Sequence, residues 1–304
     1  MPDNNAKSYT RRALLRSLLL GPFVLSACAR HASQSQDAAS QATLGPAPPS
    51  LITLTPSQPA LPGSSAVPTA PSTPSMDTGW QADDQNLELR HIRIKRADGN
   101  LVPLVIVRLV PQAFALRVAY TPEKPRLLRN WAISSQPTIA LNGGFFLENY
   151  QPVGLIVSDG VAYGQSYEGF GGMLALTADG TLTLRALRDQ PYDPNEAIEQ
   201  SLQSFPMLMF PGGLAADFED NGQKARRTVL AFDRQGRMLI IIAPGSDLSL
   251  RELADWLLAS DLELDRALNL DGGPSTGLFL SSGQLREQID SLGVLPIVLL
   301  LTRH

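Results

Sequence analysis

The chain has 304 residues, of which 43% are hydrophobic, and a formal net charge of −4. That length and composition support one large domain or two small ones, with a sizeable core. The mild acidity argues against nucleic acid or an anionic membrane surface as the main partner, and the single cysteine excludes an internal disulfide.

The N-terminus reads as an address. Arg11, Arg12 and Arg16 precede a short apolar stretch, residues 17–25. It is too short for a membrane-spanning helix, which needs about 20 apolar residues, and has the form of a signal peptide. The Arg11–Arg12 pair resembles a twin-arginine signal, with Leu14 where Phe is commoner. "LSAC" resembles a bacterial lipobox, which makes Cys28 the expected lipidation site after cleavage. Residues 1–28 are therefore expected to be a signal peptide ending at the lipobox. The mature chain would be an exported lipoprotein on the periplasmic face of the envelope. Ala29 stands where Asp would favour inner-membrane retention, so the outer membrane of a two-membrane bacterium is the expected destination.

Residues 29–85 read as a tether. From Ala38 to Met76 there is no Asp, Glu, Lys or Arg, and prolines punctuate Ser, Thr and Ala. Such a segment buries too little apolar surface to offset its ordering entropy, and its prolines favour an extended, semi-stiff spacer.

The folded domain is expected over 86–304. "LVPLVIVRLV" (101–110) and "AFALRVAY" (113–120) read as a strand pair. A helix is expected over 125–132. "PTIALNGG", "VGLIVSDG", "GMLALTADGTLTLRAL", "PMLMF", "RTVLAFDRQGRMLIII" and "DRALNLDGG" read as strands, several joined at Asp-Gly-type turns. "SLRELADWLLAS" (249–260) predicts a helix opened by a Ser249/Glu252 capping box. The apolar "GVLPIVLLLT" near the C-terminus reads as a buried strand. Many strands with few helices predict an α+β domain.

Three stretches carry chemistry. In "ALNGGFF", a strand delivers Asn142, and Gly143–Gly144 allow positive φ and backbone approach by a ligand; taken alone, the stretch reads first as a tight turn capped by Asn. In "ARRTVLAFD", a strand pattern that extends back to Arg226 and Arg227 sends one of them inward, where a guanidinium suits phosphate; on pattern alone the two are equally a solvated surface pair. In "ALNLDGGPST", Asn269 and Asp271 share a face by the same alternation, and glycines and hydroxyls follow. An Asp-Gly hairpin is the simpler reading of that stretch, but it explains neither the Pro-Ser-Thr nor the inward Asn.

These stretches, in this order and separated by the capped helix, resemble the phosphodiester glycosidase family over roughly residue 86 to the C-terminus. The resemblance implies water replacing phosphate at an anomeric carbon, giving a free sugar and a phosphomonoester. It places Asn142, Gly143, Gly144 and Phe145 in one motif and Arg227 and Thr228 in the second. Asp271, Gly272, Gly273, Ser275 and Thr276 fall in the third. Pro274 departs from the family's usual Gly and removes one backbone donor, which leaves the substrate range open.

A phosphate leaving group needs little protonation, so one carboxylate with strong anion recognition can suffice where glycosidases usually use two. Asp271 is the expected nucleophile, general base or stabiliser of the cationic sugar, and Arg227 the phosphate holder. Asn142 and the Gly143–Gly144 amides would orient substrate and share its charge, with Phe145 and Thr228 in the binding site. Ser275 and Thr276 would bind phosphate or orient Asp271. Glu148 is a speculative second acid, not carried over from the family. A Ser-His-Asp hydrolase is disfavoured, since only His91 is placed to serve and no Gly-x-Ser-x-Gly occurs. Zinc is disfavoured because no Cys/His cluster exists. No cofactor is required, although Asp271 and carbonyls are compatible with a hard cation such as Ca²⁺. The rival reading from another class is a non-catalytic glycan-binding envelope lipoprotein of the same fold.

Overall fold

The computed structural model describes residues 77–84 and 86–304. Cys28, the signal and most of the tether lie outside the described residues. In chain order the elements are β1 (Gln81–Asp84), β2 (Leu87–Lys95), β3 (Leu101–Leu109), β4 (Phe114–Tyr120), helix α1 (Leu128–Ser135), β5 (Ile139–Asn142), β6 (Ile156–Ser158) and β7 (Val161–Tyr163). They continue with β8 (Gly172–Thr177), β9 (Leu182–Ala186), β10 (Ile198–Ser204), β11 (Met207–Phe210), β12 (Leu214–Ala215), β13 (Ala225–Asp233) and β14 (Met238–Leu248). Helix α2 (Leu250–Ala259), β15 (Leu264–Asn269), β16 (Leu278–Ser282), β17 (Leu285–Ile289) and β18 (Ile297–Arg303) complete the chain.

The strands form three antiparallel sheets. The first has the order β1-β2-β3-β14-β13-β15-β11-β12, the second β7-β6-β10-β8-β9 and the third β17-β16-β5-β18-β4. The α+β, strand-rich class expected from the sequence is what the chain adopts. The period-2 pattern decides which layer each residue joins. In β18, Ile297, Leu299 and Leu301 enter the core shared by the three sheets, while Val298 and Leu300 pack with Leu128 and Trp131 of α1. In β13, Leu230 and Phe232 face the shared core, and Val229 and Ala231 face the layer containing α2.

Helix α2 begins as its sequence predicts: Ser249 accepts from the Glu252 amide at 3.2 Å, and the Glu252 carboxylate accepts from the Ser249 amide at 2.8 Å. Two expectations are corrected. The strands over 101–110 and 113–120 do not pair, because β3 already has β2 and β14 on its two edges. A 3-10 turn at Pro111–Ala113 instead carries the chain to the third sheet, where β4 pairs with β18. The first helix starts at Leu128 rather than Pro125, because Arg126 is held extended in a bridge with Leu295. Ahead of Asn86, β1 already pairs with β2, and Trp80 stacks under the Arg108 guanidinium at 3.7 Å. Among the described residues no helix is long and apolar enough to cross a membrane.

Candidate active site

The three chemistry-bearing stretches converge on Asn142, the last residue of β5, which is fully buried. Its Oδ1 accepts from the Thr228 hydroxyl at 2.8 Å and from the Gly277 amide at 3.1 Å. Its Nδ2 donates to the carbonyls of Asp271 at 2.7 Å and Gly143 at 3.3 Å. The side-chain amide therefore uses its full capacity of two acceptor and two donor positions inside the protein. Thr228 Oγ1 also reaches Thr276 Oγ1 at 3.3 Å, and both threonines are fully buried. This closed network leaves the Asn142 amide no free donor or acceptor, contrary to the direct substrate contact expected of it.

Asp271 follows the end of β15. Its amide donates to Gly143 O at 3.2 Å, which ties the third motif to the first a second time. The side chain is half-buried. Burial pushes its carboxyl up to about 6, against the pull of hydrogen bonds from Ser275 and from the Gly272 amide at 2.9 Å. Ser275, itself buried, thus orients Asp271. A carboxylate in this state is ionised at neutral pH yet basic enough to take a proton.

The glycines have different reasons. Gly143 and Gly144 do not adopt positive φ. A Cβ on Gly143 would lie 2.6 Å from Ile297 Cγ2, and one on Gly144 would lie 2.7 Å from Gln203 O. The Gly143 amide donates to Ile297 O at 3.1 Å and is not free for an anion. These two glycines let layers approach, which corrects the expectation of a ligand-facing turn. Gly272 is equally tight, with its Cβ position 2.8 Å from Arg226 O. Gly273 alone of the four has positive φ, +56°, with open space around it. It opens the 3-10 turn Gly273–Ser275 that presents Ser275 to Asp271, so the Asp-Gly pair is not a hairpin.

Of the two arginines, Arg226 lies on the Thr228 side of β13 by strand alternation. It is buried and donates to Pro244 O and Asp290 O at 3.0 and 2.9 Å, and its Nη1 has no hydrogen-bond partner. Burial lowers its pKa, partly offset by the Asp290 charge. Arg227 lies on the other side and donates through Nε to Leu248 O and through Nη2 to Gln223 O, at 3.3 and 2.5 Å. It lines a cleft of about 490 Å³ together with Phe145, Phe205, Phe218, Asp220 and Asn269. Glu148 is exposed on the turn after Phe146. His91 is engaged by Glu287 at 2.6 Å. Among the described residues no three His, Cys, Asp or Glu side chains gather as a metal-binding group.

A strand-rich α+β domain whose three motifs meet around one raised carboxylate defines the class. The chain belongs to the phosphodiester glycosidase family, whose model matches residues 135–294. Its fold is similar to the catalytic domain of zebrafish N-acetylglucosamine-1-phosphodiester alpha-N-acetylglucosaminidase, described as auto-inhibited by its pro-peptide. That similarity has a TM-score of 0.58 at 20% identity, over 74% of this chain and 86% of that one. It is also similar to a hypothetical protein from Synechocystis, with a TM-score of 0.52 at 15% identity, over 72% of this chain and 62% of that one. No curated protein matches.

Proposed function

We propose that the protein hydrolyses a sugar-1-phosphodiester in an envelope or extracellular glycan. Water attacks the anomeric carbon, the bond from that carbon to the phosphate oxygen breaks, and the phosphomonoester leaves with the electron pair. Asp271 takes the proton from the attacking water and stands beside the positive charge that develops on the ring. Arg227 Nη1, which has no carbonyl partner, holds the departing phosphate. Asn142, Thr228, Thr276 and Ser275 keep Asp271 in place without touching substrate. The observation that carries this reading is the Asp271 carboxyl, raised to about 6 and anchored through its own backbone to the first motif, whose Asn142 in turn binds Thr228 of the second. Export and lipid attachment at Cys28 belong to the same proposal, with the tether holding the domain away from the membrane.

The test is incubation of the protein with a panel of sugar-1-phosphodiesters, with both products assayed beside Asp271→Asn. Release of free sugar together with phosphomonoester, lost in the variant, supports the reading. Equal turnover by a folded Asp271→Asn protein sinks it.

A further inference from the structure

The cleft lined by Arg227 and Asn269 has features that the motifs do not explain. Phe145 and Phe205 line it with ring centroids 4.7 Å apart. Phe170 continues the surface, 5.9 Å from Phe205 and 4.8 Å from Tyr167, yet is 51% exposed. Gly169 and Gly171 on either side of it both have positive φ, +72° and +76°, and a Cβ on Gly171 would meet Ser204 O at 2.7 Å. The backbone is thus bent to hold a large aromatic ring outward, where exposure is unfavourable unless something covers it.

Asn269 supplies the second observation. It lines the same cleft and is only 4% exposed. Its Nδ2 donates to Phe205 O at 2.8 Å, which fixes the orientation of the amide, and its Oδ1 is buried without a partner. An orphaned buried acceptor costs about 1–3 kcal/mol, so its retention points to a donor that arrives with a ligand. Asn269 and Asp271 are two residues apart, about 7 Å along an extended chain, which is about the span of one pyranose ring. Glu219 and Asp220 line the cleft against the single cation Arg227, a balance that disfavours a further negative charge on the ring.

We propose that this cleft seats the sugar ring: the apolar C–H face of a neutral pyranose lies on Phe145 and Phe205, Phe170 extends that platform, and a ring hydroxyl or amide N–H donates to Asn269 Oδ1. The inference rests on the glycosidase reading for the ring's direction, with its anomeric carbon toward Asp271. Asn269 is then a specificity-determining residue, because a ring without a donor at that position leaves the acceptor unpaired.

Binding and turnover separate the two claims. The probes are the methyl glycosides of glucose, galactose, mannose and N-acetylglucosamine, with methyl uronides for comparison, followed by saturation-transfer NMR and titration without any phosphate. At least one neutral glycoside is expected to bind in the millimolar range, with saturation strongest on its ring C–H protons and its uronide weaker. Asn269→Leu and Phe170→Ala are each expected to weaken it by about tenfold. Phe170 is exposed enough for its variant to fold, so the test stands even where Asn269→Leu does not. Absence of binding by every neutral glycoside, preference for a uronide, or unchanged binding in either folded variant overturns the proposal. Binding with no turnover of any sugar-1-phosphodiester refutes the hydrolase and leaves the ring site standing. Turnover with an unchanged KM in folded Asn269→Leu does the reverse.

Discussion

The side-chain amide of Asn142 donates to the main-chain carbonyl of Asp271 at 2.7 Å, across 129 residues of chain. The bond grips the backbone of Asp271 and leaves its carboxyl to Ser275 and Gly272. An amide is the side chain suited to this place, since it must accept from Thr228 and Gly277 while donating to two carbonyls.

Replacing Asn142 should therefore unsettle the fold as well as the site. Asn142→Ala leaves the Gly277 amide and the Asp271 carbonyl unpaired, at a cost on the order of 3 kcal/mol, or a fall in Tm of roughly 6–12 °C. Asn142→Asp should be worse, because it sets a buried carboxylate against two carbonyls. Calorimetry checks both, and an Asn142→Ala protein that melts with the wild type would contradict the hub.

Asp271 sets a pH dependence of known sign. Its folded-state pKa, about 6, lies above the unfolded value of about 4, so the folded protein disfavours the ionised form. The penalty is absent below about pH 4, grows as pH rises and is complete above about 6. Asp271→Asn should unfold like the wild type at low pH and be more stable by about 3 kcal/mol near pH 8. Hydrolysis by the wild type should rise through pH 6 to a plateau. Activity falling over that interval would assign Asp271 the acid role instead.

The glycines should separate by cause. Gly143→Ala drives a methyl against Ile297, with 2.6 Å to Cγ2, and should cost roughly 2–3 kcal/mol. Gly273→Ala meets open space but keeps a left-handed φ, and should cost about 1 kcal/mol. Urea denaturation ranks the two, and equal effects would refute the distinction.

His91 of β2 and Glu287 of β17 form an ion pair between two sheets. The Glu287 hydrogen bond raises the His91 pKa against a smaller effect of burial. The pair's stabilisation is full below the unfolded pKa of about 6.5 and fades as pH rises through the higher folded value. Glu287→Gln should therefore lower Tm in mildly acidic buffer and leave it nearly unchanged in alkaline buffer. The opposite ordering would remove His91 as the titrating group.

Much of the fold was legible because it is written in local chemistry. The Ser249/Glu252 box, the Asp-Gly turns and the alternating β13, β14 and β18 patterns each act over a few residues. The separation of β3 from β4 was not legible, since both are ordinary strands and only the competing partners β14 and β18 divide them. At the site, Asp271 and Ser275 could be named from their motif. The closure of Asn142 could not, because three of its four partners lie beyond the next strand. The side taken by Arg226 follows from alternation once Leu230 is placed in the core. The signal for Phe170 was present in "GFGG", an aromatic among glycines that serves no strand.

The hydrogen bonds around Asn142 draw on β5, β13 and the segment after β15, and Gly143 is held in turn by Ile297 of the last strand. The site therefore has no local precursor: a nascent chain lacks it until its final strand has docked. Turnover would then act as a clock for completed assembly, with chains stopped before β18 silent however much of the sheet they had formed.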